Sequence, residues 1–346
     1  MSDDDKWENG FCKREWIKVR GEDYEYPGPC VGTTNNGLIR RGKLLYDVPV
    51  DIRDQILEKS LETGIPYIAA ANLLGSESGY KATAVSPTGA MGLAQMVSDT
   101  LYEKLYQSRE DLPPKARNIV DDNIEKYNSA DPGEPYWYKY RIREGGDENA
   151  VRALAKDEDI AIELGFKHME FSIREGSRVY MEKLSGRIRW MKREVEVNQI
   201  LDELREKSKN GNSPTTEELD AANARIDEIR SRTRAMTDEI DRQFTTADLK
   251  VFYVCGPTGG AGLLEALADP VKRAQNHRAA DYAPDHVVKS NEALFFKDYP
   301  NNTIYRDVEE FYEHMIELVG ETPLPNNLKT DPSAAIAMAN TSTPKY

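Results

Sequence analysis

One glutamate stands directly before a glycine-rich segment, and these two features are the part of the chain best suited to chemistry. Residues 75–79 read Gly-Ser-Glu-Ser-Gly, with the acid at Glu77, and residues 84–95 read Ala-Val-Ser-Pro-Thr-Gly-Ala-Met-Gly-Leu-Ala-Gln. Glycine permits tight turns and close approach to the backbone. A carboxyl group can protonate a leaving oxygen near neutral pH only if its pKa is raised, as burial against apolar side chains does. The pattern predicts one shielded acid beside a cleft, an arrangement that suits cleavage of a glycan chain.

A predicted helix places Glu77 on an apolar face. The helix is expected to begin at Pro66, because proline suits the first helical turn. Ala70, Leu73, Leu74 and Glu77 follow at spacings of i, i+3, i+4 and i+7, so they share one side of the helix. The acid is therefore expected to point inward.

Five regions separate along the chain. Residues 1–48 form an irregular arm rich in Trp, Tyr, Gly and Pro. Residues 49–175 and 246–319 carry apolar helical patterns and are predicted to be two parts of one domain. Residues 176–245 are a highly charged helical insertion between those parts, and residues 320–346 are a polar tail with little to bury.

The charged insertion is predicted to be an antiparallel helical hairpin. Apolar or small residues alternate spacings of three and four at Leu219, Ala222, Ile226, Ile229, Thr233, Met236 and Ile240. A turn is expected at 210–214, and Thr215 with Glu218 can form a capping box. Arms of about 30 residues would extend roughly 45 Å at 1.5 Å per residue. Such a hairpin would protrude from the domain that carries it.

Composition excludes several classes of protein. The net charge of -14 argues against nucleic acid as the main ligand, because phosphate binding depends on clustered cations. No run of about 18 apolar residues occurs, so no transmembrane segment is predicted. Residues 1–5 read Met-Ser-Asp-Asp-Asp and lack an apolar segment, so no secretory signal peptide is predicted.

Cysteine and histidine show no metal-binding pattern. The chain has 3 Cys, at Cys12, Cys30 and Cys255, too few and too scattered for a disulfide framework or a zinc site. Pairing of Cys12 with Cys30 stays open. The 4 His lie far apart without metal-ligand spacing, at His168, His277, His286 and His314. No metal site is therefore predicted.

The segment 65–100 resembles the signature of the soluble lytic transglycosylases, lysozyme-like enzymes that cleave peptidoglycan. That signature has a Glu-Ser pair followed by Ala-x-Ser-x-x-Gly-Ala-x-Gly-Leu-x-Gln. Glu77 and Ser78 match the pair. The remaining matches are Ala84, Ser86, Gly89, Ala90, Gly92, Leu93 and Gln95.

A later segment resembles a second motif of the same family, in which an aromatic residue and a Gly-Pro-Gly turn close the sugar groove. Residues 253–261 read Tyr-Val-Cys-Gly-Pro-Thr-Gly-Gly-Ala, with Val254 where the family usually has asparagine. This version, followed by Leu264 and Leu267, is closer to that of bacteriophage virion-associated transglycosylases. Residues 159–165 also resemble the intervening helix of the family.

The resemblance implies a mainly α fold with a lysozyme-like domain of the goose or SLT type, into which the helical hairpin is inserted and from which both termini extend. It implies cleavage of the β-1,4 bond between N-acetylmuramic acid (MurNAc) and N-acetylglucosamine (GlcNAc). Glu77 would act first as a general acid, and its carboxylate would then act as a base on the 6-hydroxyl of the muramic acid, which closes a 1,6-anhydro ring. A second catalytic carboxylate, a metal and an organic cofactor are not needed for this reaction.

The resemblance also assigns roles to other motif residues. Contacts with substrate, or orientation of the acid and the turn, are implied for Ser78, Ser86, Gln95 and Tyr253. Backbone roles in turns are implied for Gly89, Gly92 and Gly256. The serines can instead serve only as caps, and Gln95 can bond to the backbone instead of sugar.

Two alternatives stay open. One is a muramidase that uses water, with Asp159 or Glu163 as a helper acid. The other is a structural virion protein whose lysozyme-like core has lost activity, an interpretation that Val254 keeps open.

The biological setting is inferred from the hairpin, the phage-like motif, the aromatic N-terminal arm and the missing export signal. They favour a component of the phage virion that opens the cell wall of the host, acting in the periplasm, while the genome enters. The expected partners are glycan strands of peptidoglycan and, through the hairpin and termini, other virion proteins. Homo-oligomerisation stays open, and no nucleic-acid partner is expected.

Overall fold

The structure is a computed structural model that describes residues 7–8, 11–12, 15–19, 22–26, 45–46, 48–87, 89–128, 138–192, 195–301 and 304–324. Within these ranges the chain is mainly helical, as the sequence predicted. The α-helices are α1 (Val50–Thr63), α2 (Tyr67–Ser78), α3 (Ser98–Gln107), α4 (Pro114–Asn123), α5 (Glu148–Leu154), α6 (Glu158–Lys192), α7 (Val195–Lys209), α8 (Thr216–Asp238), α9 (Thr246–Ala268), α10 (Pro270–Ala274), α11 (Asp285–Ser290), α12 (Glu292–Phe295) and α13 (Val308–Val319).

The described strands form three antiparallel pairs. They are β1 (Trp7–Glu8) with β2 (Phe11–Cys12), β3 (Glu15–Val19) with β4 (Glu22–Tyr26), and β5 (Ile124–Asn128) with β6 (Tyr138–Ile142). In the last pair Ile124 lies opposite Ile142 and Asn128 opposite Tyr138. These short hairpins accompany the helices and form no larger sheet among the described residues.

The chain divides into two compact units. The first contains Met1–Phe171, Thr245–Lys250 and Met315–Leu328, and the second contains Ser172–Phe244, Val251–His314 and Lys329–Tyr346. The predicted acid, Glu77, belongs to the first unit.

Two helices of the first unit begin and end where the local sequence requires. Pro49 precedes α1 and Pro66 precedes α2, each with extended backbone angles that lead into the helix. α1 ends at Gly64 and α2 at Gly79, with φ of 76° and 57° respectively. These left-handed conformations suit glycine, because it has no Cβ to clash with the backbone.

The core of the first unit surrounds α2. This helix buries Ala69, Ala70, Ala71, Leu73 and Leu74 completely. Other fully buried apolar side chains of this unit include Ile56, Leu93, Leu105, Val120, Ile124, Val151 and Met169. Because α2 is apolar almost all round, it is expected to be covered on several sides, as a core helix is.

α6 continues across the boundary that the sequence placed at residue 175. It runs from Glu158 to Lys192 without a break at Gly176. A Cβ added at Gly176 would lie 2.3 Å from the Phe252 ring, and both residues belong to the second unit. This glycine permits close packing of an aromatic ring and does not end the helix.

α7 and α8 lie on either side of a turn at residues 210–214. Near that turn Lys207 of α7 forms an ion pair with Glu218 of α8. At the other end, Glu196 lines a cavity together with Ile229 and Arg232 of α8.

The predicted capping box at the start of α8 is present. Glu218 donates its backbone N–H to the Thr215 hydroxyl at 3.2 Å, and its carboxylate accepts the Thr215 N–H at 3.1 Å. Of the predicted apolar stripe, Ile226 and Met236 are buried, whereas Leu219 is 43% exposed.

α9 is long and apolar enough, by length and composition alone, to be a candidate membrane span, although the sequence predicted no transmembrane segment. Half of its most apolar 18-residue stretch is buried inside the fold, and core helices can be equally long and apolar. Gly256 breaks the helix with φ of 72° and ψ of 166°. Each part is then shorter than the ~20 residues that cross a bilayer. α9 is therefore weak evidence for a membrane span.

Several sequence predictions lie outside the described residues. They concern Cys30 and its pairing with Cys12, most of the arm at residues 1–48, and the tail beyond residue 324.

Candidate active site

Glu77 occupies the last turn of α2. Its side chain is 16% exposed, so it is largely shielded from water. The helix ends one residue later, where the Gly79 N–H donates to the Gly75 carbonyl at 2.9 Å. Glu77 is therefore held on a rigid helix end beside a sharp change of chain direction.

A lysine that belongs to neither motif contacts the acid. Lys250, in the first turns of α9, donates from Nζ to Glu77 Oε1 at 2.5 Å and to Ser76 Oγ at 3.1 Å. The Lys250 side chain is only 4% exposed. The acid is thus paired with an ammonium group, whereas the apolar face of α2 predicted a purely apolar setting.

The sequence gives only an indirect signal for Lys250. It stands between the apolar residues Leu249 and Val251, and the structure buries both of them fully. Since a buried charge needs a partner, such a lysine predicts a nearby carboxylate. Glu77 is 173 positions away in the chain, and nothing in the sequence joins the two.

The two serines beside the acid bond mainly to their own helix. Ser76 donates from its hydroxyl to the Leu73 carbonyl at 2.8 Å, and Ser78 donates to the Leu74 carbonyl at 3.2 Å. Ser76, not the predicted Ser78, also accepts from Lys250. A contact of Ser78 with substrate stays a prediction.

Tyr46 packs under the last turn of α2. A Cβ added at Gly75 would lie 2.6 Å from Cγ of the Tyr46 ring, so only glycine leaves room for the ring. The Tyr46 hydroxyl donates to the Leu318 carbonyl at 3.1 Å. Burial raises the pKa of the Tyr46 phenol, and the negative charge of Glu77 raises it further.

Asn72 ties α2 to two other segments of the first unit. It is fully buried, accepts the Leu45 N–H at 2.8 Å and donates from Nδ2 to the Val319 carbonyl at 3.0 Å. These bonds satisfy polar backbone groups that flank the acid-bearing helix.

The glycine-rich segment forms a compact turn in the same unit. Isolated antiparallel bridges join Met91 to both Val85 and Met96. The Ser86 hydroxyl accepts the Ala90 N–H at 3.0 Å, and the Gly89 N–H donates to the Ser86 carbonyl at 2.9 Å. Ser86 therefore stabilises the turn.

Position 92 requires glycine for two reasons, its backbone conformation and the close approach of a neighbouring residue. Its φ is 78°, and an added Cβ would lie 2.3 Å from the Ala155 carbonyl oxygen. Gly89 also has a positive φ of 85°, but the nearest atom to an added Cβ is 3.8 Å away, on Arg152. Both glycines thus set the backbone path, and Gly92 also permits close packing.

Gln95 directs its amide group to the backbone of the turn. Nε2 donates to the Gly92 carbonyl at 2.8 Å and to the Ala84 carbonyl at 3.3 Å. Gln95 itself has a positive φ of 46°. Contact of its side chain with sugar stays a prediction.

The later motif lies in the second unit, on α9. Tyr253 and Val254 are half-buried there, and Gly256 occupies the break in that helix. Cys255 is buried, and this burial raises the pKa of its thiol to about 12. The expected role of Tyr253 near Glu77 stays a prediction.

The helper acids of the muramidase alternative have other surroundings. Asp159 is exposed at the start of α6. Glu163 forms an ion pair with Lys59 of α1, and its Oε1 lies 3.9 Å from Lys167 Nζ. In the part of the chain that the structure describes, no group of three or more His, Cys, Asp or Glu is placed to hold a metal ion.

This arrangement can support proton transfer. A largely shielded carboxyl group stands on a fixed helix end, with an ammonium group on one side and a glycine turn in the same compact unit. Positioned carboxyl groups serve as general acids and bases.

The chain was compared with known proteins and protein families. No curated protein matches the chain. A family model does match, over about a fifth of the chain that includes α2, Glu77 and the glycine turn. Residues 54–125 match the Transglycosylase SLT domain, and this match supports placing that part of the chain in the soluble lytic transglycosylase family.

Proposed function

We propose that the protein is a peptidoglycan lytic transglycosylase that cleaves the MurNAc–GlcNAc β-1,4 bond and leaves a 1,6-anhydro-MurNAc end. The observation that carries this proposal is the position of Glu77, which is 16% exposed at the end of α2 and lies within the segment that matches the Transglycosylase SLT domain. The match supports peptidoglycan degradation of the lytic transglycosylase type.

The proposed reaction needs one acid that changes role. The Glu77 carboxyl group gives its proton to the glycosidic oxygen, the bond from that oxygen to C1 breaks, and the sugar develops positive charge. The resulting carboxylate takes the proton of the 6-hydroxyl, whose oxygen forms the new bond to C1. The proton thus returns to Glu77, and no water is consumed.

The muramidase alternative needs a second carboxylate to activate water. Asp159 is exposed, and Glu163 is occupied by an ion pair with Lys59. The single-acid reaction is proposed because Glu77 lies in the segment that matches the Transglycosylase SLT domain, and the products released from cell walls distinguish the two reactions.

Purified cell walls provide the test. The wild type should clear a wall suspension and release fragments with anhydro ends, identified by mass spectrometry. Glu77→Gln keeps the shape of the side chain but removes the acid, so clearing should fall about 10²- to 10⁴-fold. Glu144→Gln alters an exposed glutamate of the same unit and should clear normally.

Each other result has a definite meaning. Reducing ends in place of anhydro ends would favour the muramidase. Equal clearing by the wild type and Glu77→Gln would exclude Glu77 as the acid. No clearing by the wild type would favour the inactive structural protein.

We further propose that the protein is carried in a phage virion and acts on the host cell wall during genome entry. The phage-like motif at residues 253–261 and the charged helices α7 and α8 support this setting, because exposed helices can dock on neighbouring proteins. Proteomic analysis of purified particles tests it. Detection of the chain in intact particles is expected, and its presence only in the lysate would contradict the proposal.

A further inference from the structure

The ammonium group of Lys250 has two partners on the last turn of α2. It donates to Glu77 Oε1 at 2.5 Å and to Ser76 Oγ at 3.1 Å. Ser76 in turn donates its hydroxyl proton to the Leu73 carbonyl at 2.8 Å, so its lone pairs are free to accept from Lys250. The hydrogen bonds therefore fix the ammonium group relative to the Glu77 carboxylate.

Stability alone does not explain a lysine at this position. Its side chain is 4% exposed, and transfer of an ammonium group from water to a protein interior costs several kcal/mol. A buried ion pair is often matched or exceeded in stability by apolar residues of similar volume. Since Leu249 and Val251 on either side are buried, a leucine or methionine would suit the helix at position 250.

We infer that Lys250 is a positioning residue that acts through Glu77, an inference that rests on the proposed function. Lys250 holds the carboxyl group in one orientation and stabilises the carboxylate that forms when the proton moves to the glycosidic oxygen. The electron pair of the broken C1–O bond stays on that oxygen, and the 6-hydroxyl proton later neutralises the carboxylate. Lys250 keeps its own protons throughout.

Among the described residues, the titratable groups that the structure shows interacting with Glu77 are Lys250 from α9 and Tyr46, which precedes α1. Of these two, Lys250 supplies the positive charge that can stabilise the carboxylate as it forms. A neutral residue at position 250 removes that charge and should therefore slow the chemical step.

The test measures kcat and KM of wall cleavage for Lys250→Met, Lys250→Gln and Lys250→Arg. Removing one hydrogen-bond donor from a developing charge lowers kcat about 10²-fold, and we expect a loss of this size in the two neutral variants. KM should change little, because Lys250 acts on Glu77 and not on the sugar. Lys250→Arg should recover part of the rate, because arginine restores a positively charged hydrogen-bond donor.

Controls separate this inference from folding and from the proposed function. Lys115→Met removes an exposed lysine of the same unit and should behave as wild type. Circular dichroism and thermal melting check that each variant is folded. Failure of both neutral variants to fold would show a structural role only and would overturn the inference.

The remaining outcomes are distinguishable. If the wild type cleaves, Glu77→Gln does not, and Lys250→Met keeps the wild-type kcat, the inference alone fails. A loss of kcat that Lys250→Arg does not recover at all also overturns it. If the wild type does not cleave at all, the proposed function fails and the inference falls with it.

Discussion

The ring of Tyr46 occupies the space that a side chain at position 75 would fill. A Cβ at Gly75 would lie 2.6 Å from Tyr46 Cγ and 2.7 Å from Cδ2. Real Cβ atoms do not approach ring atoms this closely, so the ring or the helix must shift if Gly75 is replaced. Because Glu77 lies two residues further along the same helical turn, this packing contact bears on the position of the acid.

Gly75→Ala is therefore expected to destabilise the protein. Alanine is favoured over glycine inside a helix by about 1 kcal/mol, but overpacking a well-filled site costs about 1 to 3 kcal/mol. We expect a net loss of free energy of unfolding in urea titrations, together with slower wall cleavage.

Gly186→Ala is the matched control for this substitution. Gly186 also lies inside a helix, α6, but an added Cβ meets nothing within 4 Å. This variant should gain about 0.5 to 1 kcal/mol of stability, since alanine loses less backbone entropy on folding. Equal effects of the two substitutions would mean that Tyr46 gives way without cost.

The glycines also show what could be predicted from the sequence. Helix α2, its start after Pro66 and its end at Gly79 follow from local rules, and the sequence predicts both the helix and the turn after it. Gly75 and Gly176 lie inside helices and give no local sign of the rings that pack on them. Those contacts come from Tyr46 and Phe252, and residue spacing carries no information about them.

Lys250 is a residue of the candidate site that the sequence did not predict. The motif predicted Tyr253 near Glu77. The residue hydrogen-bonded to Glu77 is instead Lys250, three residues before Tyr253. The apolar stripe on α2 correctly predicted that the acid lies on a largely buried face. It could not show that another helix supplies a charged group to that face.

Gly92→Ala should lower both stability and cleavage. The residue has φ of 78°, and its Cβ would lie 2.3 Å from the Ala155 carbonyl oxygen, a backbone atom that cannot rotate away. A non-glycine residue in the left-handed region costs roughly 1 to 2 kcal/mol, and the clash adds to this. Thermal melting and wall clearing measure the two effects.

Gly145→Ala separates the conformational cost from the clash. Gly145 has a nearly identical φ of 77°, but an added Cβ meets nothing within 4 Å. We expect a smaller loss of stability in this variant and normal cleavage. If Gly145→Ala is as harmful as Gly92→Ala, contact with Ala155 is not the reason that position 92 needs glycine.

Asn72→Leu should destabilise the first unit. Asn72 is fully buried, and its amide accepts the Leu45 N–H and donates to the Val319 carbonyl. Leucine has similar volume but leaves both backbone groups without this partner, and each unsatisfied buried group costs about 1 to 3 kcal/mol. Asn198→Leu, at an exposed position of α7, should change the free energy of unfolding far less. Similar urea midpoints for the two variants would contradict the assigned role.

His168 should make stability depend on pH. Burial lowers the pKa of His168 to about 3, and the positive charge of Lys104 acts in the same direction. On acidification, the His168 imidazole of the unfolded chain takes up a proton at pH ~6.5, whereas that of the folded protein takes it up only at lower pH. The contribution of neutral His168 to stability is therefore complete above pH ~6.5 and is lost as the pH falls from there toward the folded-state value.

Urea unfolding between pH ~7.5 and pH ~5 measures this dependence through the difference between wild type and His168→Gln. The wild type should lose more free energy of unfolding on acidification than His168→Gln, because glutamine binds no proton. His286→Gln changes an exposed histidine and should keep the wild-type slope. If wild type and His168→Gln lose the same free energy over this range, the unfolded chain gains no proton at position 168 relative to the folded protein, and the fold does not hold this imidazole neutral.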